Sequence, residues 1–570
     1  MPHRNNLTSL KLGYGLRDFF NKEGRYTQTH FSKDFIAGLT VGILTIPISM
    51  ALATGIGVSP IYGLFTAIVA GVVTALAGGS RYSIAGPTAS FVILLIPVTD
   101  DFGLFGVLMV SLLSGIILVL MALLRFGRWI EYIPEALIFG FTSGIAILII
   151  LLQMKDFFGL PIIDLPTDFI ERLFSMAQSM GDWHWESTAL GFATLLFMIA
   201  WSRLPIKFPG HLPGLILASL ATFYWNQQGA AILTVGDIFD DIPHFLPSLQ
   251  TELIVTNLTS ISVQALWDML QELLPIAITL AILIALESLF CAIVLDNLSA
   301  KRHSPNSELM GQGLGNVFAP LLGGFASSGA IARSVTNLRA GAVSPIAGVV
   351  HALVVLVAIY FFANMLMYMP MPAMSAILVL TAWNMSNIPR AVQLIKNPNN
   401  NDAWIYFTSV TMMLFFDLVV AVTMGMVLAS ILFIKEIAEM TKLQDIHQSK
   451  RYHSELIPDN WNFYRIQGPL FFAAADRIFG ELSNTLHDKK GIVIQMDAVT
   501  IIDSGGLSAL RRFVTNAEKY GVEVYLSELQ FQPLKTLARY GLDNFGEHFK
   551  LFSLLDDAQA EASTSATRKR

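Results

Sequence analysis

A single cysteine in 570 residues, Cys291, excludes an internal disulfide and with it a cystine-stapled outer domain. Charge is scarce too, with Asp, Glu, Lys and Arg making up 14% of the chain. No His/Cys cluster has metal-ligand spacing, no glycine-rich phosphate loop occurs and no nucleophile triad can be assembled. The chain therefore reads as neither an enzyme nor a metal- or cofactor-binding protein. The first 33 residues carry six Lys/Arg and no apolar run, which predicts no cleavable signal peptide.

Apolar residues dominate instead. With 54% hydrophobic residues and a mean hydropathy of +0.58, the chain is too apolar for a water-soluble globule and fits a polytopic membrane protein. Leu104 to Leu124 and Ala136 to Met154 carry no formal charge, and about 20 such residues cross the hydrocarbon as a helix. From Phe35 to about Lys442 the sequence reads as fourteen spans, several of them short. Loop charge sets the orientation, because Lys/Arg are enriched on the cytoplasmic side. Arg125 and Arg128, Arg203 and Lys207, Lys301 and Arg302, and Arg390 and Lys396 fall on the side of the basic N-terminus, as do Lys435 and everything after it. The turn with Asp100 and Asp101, the mostly acidic Lys155 to Glu186, and the loop with Asp237, Asp240, Asp241 and Glu252 fall opposite. Both termini are expected in the cytoplasm, at a bacterial inner membrane. Ala403 to Ile434 reads as one tilted helix or two short ones, and the parity of the topology favours two.

Two interrupted segments resemble each other. LAGGSRYSIAGPT, from Leu76 to Thr88, shifted by 245 residues places Leu76, Gly78, Gly79, Ser83 and Ala85 on Leu321, Gly323, Gly324, Ser328 and Ala330 of the second segment, which runs on as GGFASSGAIARSV. Matched Gly/Pro interruptions in two halves of a membrane chain point to a transport site between inverted repeats. A short helix starting near Gly329 offers free N–H groups to an anion, and Arg333 adds a full charge. Thr88 opens the matching half-helix, where its hydroxyl serves a ligand, an ordinary N-cap or both. Each half-helix spans about ten residues, to Pro97 and to Arg339.

Glu287 lies inside PIAITLAILIALESLFCAIVL. An acidic residue at a span centre costs about 2.5 to 3.5 kcal/mol on insertion scales, so it marks function by default. Loss of hydration disfavours its ionised form, which suits proton uptake and release during transport. The bland alternative is a permanent structural pair of Glu287 with Arg333. Pro47 interrupts the first span, Asp296, Glu308 and Asp417 read as structural acids, and His351 as a packing residue.

After Lys442 the pattern becomes that of a small α/β domain. Strands are expected at Gly491 to Asp497 and Val522 to Ser527, with helices at Ser504 to Tyr520 and Gln530 to Tyr540. AQAEASTSATRKR reads as a disordered tail. The expected division is a cytoplasmic segment at 1–33, a transport domain at 34–442, a linker at 443–461, the soluble domain at 462–556 and the tail at 557–570.

At DFIAGLTVGILTIPISMALA, SIAGPTASF, LESLFC and GGFASSGAIARS the chain resembles the SulP/SLC26 family of anion transporters, and its C-terminal part resembles a STAS domain. That resemblance implies an α-helical polytopic fold of seven plus seven inverted spans (UraA/SLC26-like) with core and gate domains and a cytoplasmic α/β STAS domain. It further implies a homodimer working by elevator-like movement. Carried over by position, Ile48, Leu52, Thr88, Ala89, Glu287, Ala332 and Arg333 line the anion site, where the intramembrane Glu287 is the expected proton carrier. Ala332 stands where other members often have serine. In the family's sodium-coupled bicarbonate carriers this stretch looks like DSxxT; here Glu287, Ser288 and Cys291 correspond, and a thiol suits a hard cation poorly, which favours protons over sodium. ESLFCAIVLD, NSELMGQGLGN, AWNMS and FQPLKTLARYGL resemble the family's enterobacterial C4-dicarboxylate transporters, which ranks dicarboxylates first, ahead of bicarbonate, sulfate or chloride. In IIDSGGL, Gly505 occupies the position of the serine phosphorylated in anti-sigma-factor antagonists, and Ser504 caps the helix at most. Acyl carrier protein is the partner implied for Gly505 to Arg512, beside small anions, protons and membrane lipid; no nucleic acid is expected.

Overall fold

The computed structural model describes residues 10–162, 166, 169–204, 210–239, 247–249, 263–386, 388–396, 401–416, 418–446, 458–487 and 489–567. Lys207, Asp240, Asp241, Glu252 and Asp417 of the sequence reading lie outside them. The chain divides into two compact units, residues 1–426 and 427–570.

The first unit is helical. α1 (Tyr14–Glu23) precedes α2 (Gln28–Gly55), whose start is a capping box between Thr27 and His30 and which runs through Pro47 without a break. α3 (Pro60–Ala77) begins with proline at its first position, where the missing N–H has no partner to lose. Then come α4 (Val92–Leu123), α5 (Glu135–Phe158), α6 (Trp185–Ser202), α7 (His211–Gln227), α8 (Val263–Ser299), α9 (Pro305–Leu321), α10 (Ile331–Arg339), α11 (Ile346–Leu366), α12 (Met371–Ser386) and α13 (Asn401–Phe415), with α14 (Leu418–Met440) crossing the unit boundary. Ala403 to Ile434 is thus two helices.

Six helices among the described residues are long and apolar enough to cross a membrane: α2, α3, α4 with the turn before it, α5, α8 and α14. The fourteen spans of the sequence reading are not matched by this count. α7, α9, α12 and α13 have 17, 17, 16 and 15 residues and are too short, and α9 with Asn306, Glu308, Gln312 and Asn316 is polar as well. Large apolar side chains such as Leu124, Phe361, Met365 and Phe433 are exposed, as a lipid-facing surface requires. The first half-helix is also longer than its proline suggests. α4 accommodates Pro97 and breaks at Gly103, whose φ of 60° is a conformation that glycine adopts without a Cβ penalty.

Between α3 and α4 lies strand β1 (Ala85–Gly86), and between α9 and α10 strand β2 (Ser328–Gly329). They pair antiparallel, Ala85 with Gly329 and Gly86 with Ser328. The two interrupted segments that match in sequence are therefore joined to one another. Their structural offset is 243 residues at the strands rather than 245, and it becomes 242 at the helix starts, because two residues separate β1 from its helical turn and one separates β2 from α10.

The second unit holds a five-stranded sheet in sequential order: β3 (Lys442–Asp445), β4 (Trp461–Gln467), β5 (Gly491–Ala498), β6 (Glu523–Ser527) and β7 (Phe549–Phe552). β3 is antiparallel to β4 and the remaining pairs are parallel. The connecting helices are α15 (Phe472–Ser483), α16 (Ser504–Lys519) and α17 (Phe531–Tyr540). Leu507, Leu510, Val514 and Ala517 of α16 are buried, as their 3/4 spacing requires.

Two expectations are corrected here. Residues 442–445, placed in the domain border and linker, form a sheet strand. The tail is helical from Leu555 to Thr567 (α18), because Ala558 and Ala562, one turn apart, are buried with Leu555 against Trp461, Val493 and Tyr525.

Candidate anion site

The strand pair fixes the geometry. Running antiparallel, β1 and β2 each lead into a helix whose first turn faces back toward the pair: a 3₁₀ turn at Ala89–Phe91 continuing into α4, and α10. Thr88 and Ala330 hold the N-cap positions, and neither uses a side chain to cap. Two helix N-termini with uncapped N–H groups thus meet at one place, a setting that favours an anion. α10 starts at Ile331, two residues beyond Gly329, whose own N–H donates to the Ser288 hydroxyl at 3.0 Å.

Thr88 is not an ordinary cap. Its hydroxyl donates to Glu287 Oε2 at 3.0 Å, and Ser328 donates to the same oxygen at 2.6 Å. Ser90 donates to Oε1 and lies 3.7 Å from the Met385 sulfur on α12. Glu287 on α8 is therefore ringed by three hydroxyls, two from the β1 side and one from β2, and it remains partly exposed.

Arg333 is buried at 3% exposure. Its Nη2 donates to the Pro87 carbonyl at 2.5 Å, while Nη1 is buried with no hydrogen-bond partner. A Cβ on Gly86 would stand 2.5 Å from Nη1, so a larger residue there would have to displace the guanidinium. Among the described residues no ion pair joins Arg333 to Glu287, which removes the permanent structural pair. They hold consecutive residues instead: Arg333 binds Pro87 and Glu287 binds Thr88. One positive group with a free donor face and one carboxylate flank the same turn.

Of the other expected residues, only Ala89 and Ala332 are set beside this centre by the chain itself, next to Thr88 and Arg333. Leu52 and Ala89 are buried in one apolar cluster with Ile48 packed against it, and Ala332 is exposed on the first turn of α10. Sequence reasoning missed Ser90 and the role of Ser328 as carboxylate partners; their signal was a hydroxyl within two residues of Thr88 and beside Gly329. His351 is buried and shares a hydrogen bond with Thr45 at 2.9 Å. Asp296 is held by His303.

In the second unit the cap of α16 is Asp503, whose carboxylate accepts from Gly506 N at 2.7 Å; Ser504 is exposed in the first turn and does not cap. A Cβ on Gly505 would meet the Phe472 Cβ at 2.4 Å, so a serine does not fit there without displacing Phe472.

The family model described as Sulfate permease family matches residues 31–409, and the STAS domain model matches residues 456–558. The putative sulfate transporter YvdB of Bacillus subtilis (strain 168) is 33% identical over 522 residues, covering 91% of this chain and 95% of that protein. The bicarbonate transporter BicA of Picosynechococcus sp. is 25% identical over 86% of this chain and 88% of its own length. Among solved structures, SLC26A9 superposes with a TM-score of 0.79 at 17% identity, over 95% of this chain and 92% of that chain. The transmembrane domain of a cyanobacterial BicA matches with a TM-score of 0.60 at 24% identity, over 70% of this chain and 99% of that chain. These relatives are transporters, and the fold is that of a helical SLC26-like membrane protein carrying a STAS domain. The chain, with its buried arginine between two helix N-termini, belongs to the sulfate permease (SulP/SLC26) family of anion transporters with a C-terminal STAS domain.

Proposed function

We propose that this chain is a proton-coupled anion symporter, with a C4-dicarboxylate as its substrate, working by elevator movement of a core against a gate. The observation that carries this reading is Glu287 held by three hydroxyls beside an arginine with an unpartnered nitrogen. An ionised Glu287 accepts hydrogen bonds from the hydroxyls of Thr88, Ser90 and Ser328 and sets a negative charge beside the anion site. Once protonated it loses that charge and becomes a donor itself. At least one hydroxyl is then released to donate to an anion, and Arg333 Nη1 and the two helix N-termini supply the positive field. Proton and anion thus favour each other's binding, which is what symport requires.

Likeness of ESLFCAIVLD and NSELMGQGLGN to the C4-dicarboxylate transporter DauA supports the substrate. Bicarbonate and sulfate form the second reading, favoured by the names of the relatives. The repeated segments, their antiparallel pairing and their convergent helix starts support an inverted seven-plus-seven arrangement of fourteen spans. Homodimerisation, an inner-membrane setting with cytoplasmic termini, and regulation through the STAS domain belong to the same reading. Exposed Ser504 in the first turn of α16 and exposed Arg511 and Arg512 two turns further on, Arg511 bonded to Tyr540 and Arg512 ion-paired with Asp476, support an acidic partner there, such as acyl carrier protein.

Purified protein in liposomes tests the substrate. Labelled succinate, bicarbonate and sulfate are each offered under an inward proton gradient and then an inward sodium gradient. Proton-driven succinate uptake is expected. Uptake of bicarbonate or sulfate alone would keep the site and remove the dicarboxylate, and sodium dependence would overturn the role given to Glu287.

A further inference from the structure

Behind the strand pair, α9 carries Glu308, Gln312 and Asn316 at four-residue spacing, which puts all three on one stripe of the helix. Each is fully buried, an expensive placement for a carboxylate and two carboxamides in a membrane unit. Their hydrogen bonds go to the backbone of both site segments. Glu308 Oε2 accepts from Gly79 N and Ser80 N, each at 2.9 Å, on the chain leading into β1. Asn316 Oδ1 accepts from Ser327 N at 2.7 Å and its Nδ2 donates to Ser327 O at 2.8 Å, on the residue immediately before β2. Gln312 Nε2 joins the two grips by donating to Glu308 Oε1 at 3.1 Å, and it stands 3.5 Å from where a Cβ on Gly329 would lie. Contact is backbone to backbone as well: a Cβ on Gly79 would meet Ser304 O at 2.2 Å, and one on Gly311 would meet the Gly78 Cα at 2.5 Å.

We infer that Glu308, Gln312 and Asn316 are positioning residues for the anion site, acting through β1 and β2. One rigid helix holds both strands on their incoming sides and so fixes how far Thr88 and Ser90 stand from Ser328 and Arg333. This deepens the site reading above and rests on it. Releasing either grip loosens one half of the site, so anion affinity falls while the turnover of molecules that do bind is kept.

The test measures sulfate, bicarbonate and succinate binding to the full chain in detergent by calorimetry, and KM and Vmax for uptake in liposomes. Asn316→Ala, Glu308→Gln and Gln312→Glu are each expected to weaken binding and raise KM by about tenfold, with Vmax largely retained. The double change Glu308→Gln with Gln312→Glu exchanges donor and acceptor between the two side chains, and is expected to recover most of the affinity. A merely structural role would lower folded yield without this split or this recovery. Unchanged affinity in the single variants, or a double variant no better than either single one, overturns the inference. Absence of binding by the unaltered chain would overturn the anion site itself and this inference with it.

Discussion

Replacing Glu287 by glutamine is expected to abolish proton-driven accumulation while downhill anion movement persists. The amide is nearly isosteric and still offers one acceptor and two donors to Thr88, Ser90 and Ser328. It cannot change charge, however, so the site stays locked in the equivalent of the protonated state. In the unaltered protein one coupled proton moving down a gradient of one pH unit supports roughly tenfold accumulation, since 1.4 kcal/mol is a factor of ten. In Glu287→Gln that factor should collapse to about one, and uptake should become flat with external pH. Uptake into liposomes at several imposed gradients reads both quantities. Accumulation that still follows the proton gradient would contradict the role of Glu287.

The second large effect concerns Arg333. A unit charge about 4 Å from an anion contributes about 4 kcal/mol at an effective dielectric constant of 20, so Arg333→Gln should weaken anion affinity by on the order of a thousandfold. Arg333→Lys separates charge from geometry. Lysine keeps the charge but cannot both bind the Pro87 carbonyl and present a second nitrogen in the same plane. It should therefore recover only part of the loss. Measured KM values for Arg333→Lys and Arg333→Gln check this; equal affinity for the anion in all three proteins would remove Arg333 from the site.

How much of this was readable beforehand depends on the range of the interaction. Glu287 and Arg333 stand out because a charge in an apolar stretch is expensive wherever the chain folds. The helices and strands of the C-terminal unit follow from periods of 3.6 and 2 in local sequence, as in Leu507, Leu510, Val514 and Ala517. Other features were not legible. That Ser90 and Ser328 converge on one carboxylate follows only from the pairing of β1 with β2 across more than two hundred residues. The sequence match at an offset of 245 residues lies two residues away from the strand offset of 243, because matched small residues do not fix strand register. Helix α18 was missed because its buried stripe is made of alanines, whose weak hydropathy resembles that of a disordered tail. Glu308 reads from sequence as a structural acid, yet its partners include backbone N–H groups that no side-chain pattern discloses.

The most direct test of coupled transport uses the unaltered protein and a pH-sensitive dye trapped inside liposomes. An inward gradient of a transported anion alone, with no imposed proton gradient, should acidify the interior, because each anion carries protons with it. Anion entry with no acidification would contradict proton-coupled symport and leave an exchanger or channel built on the same site.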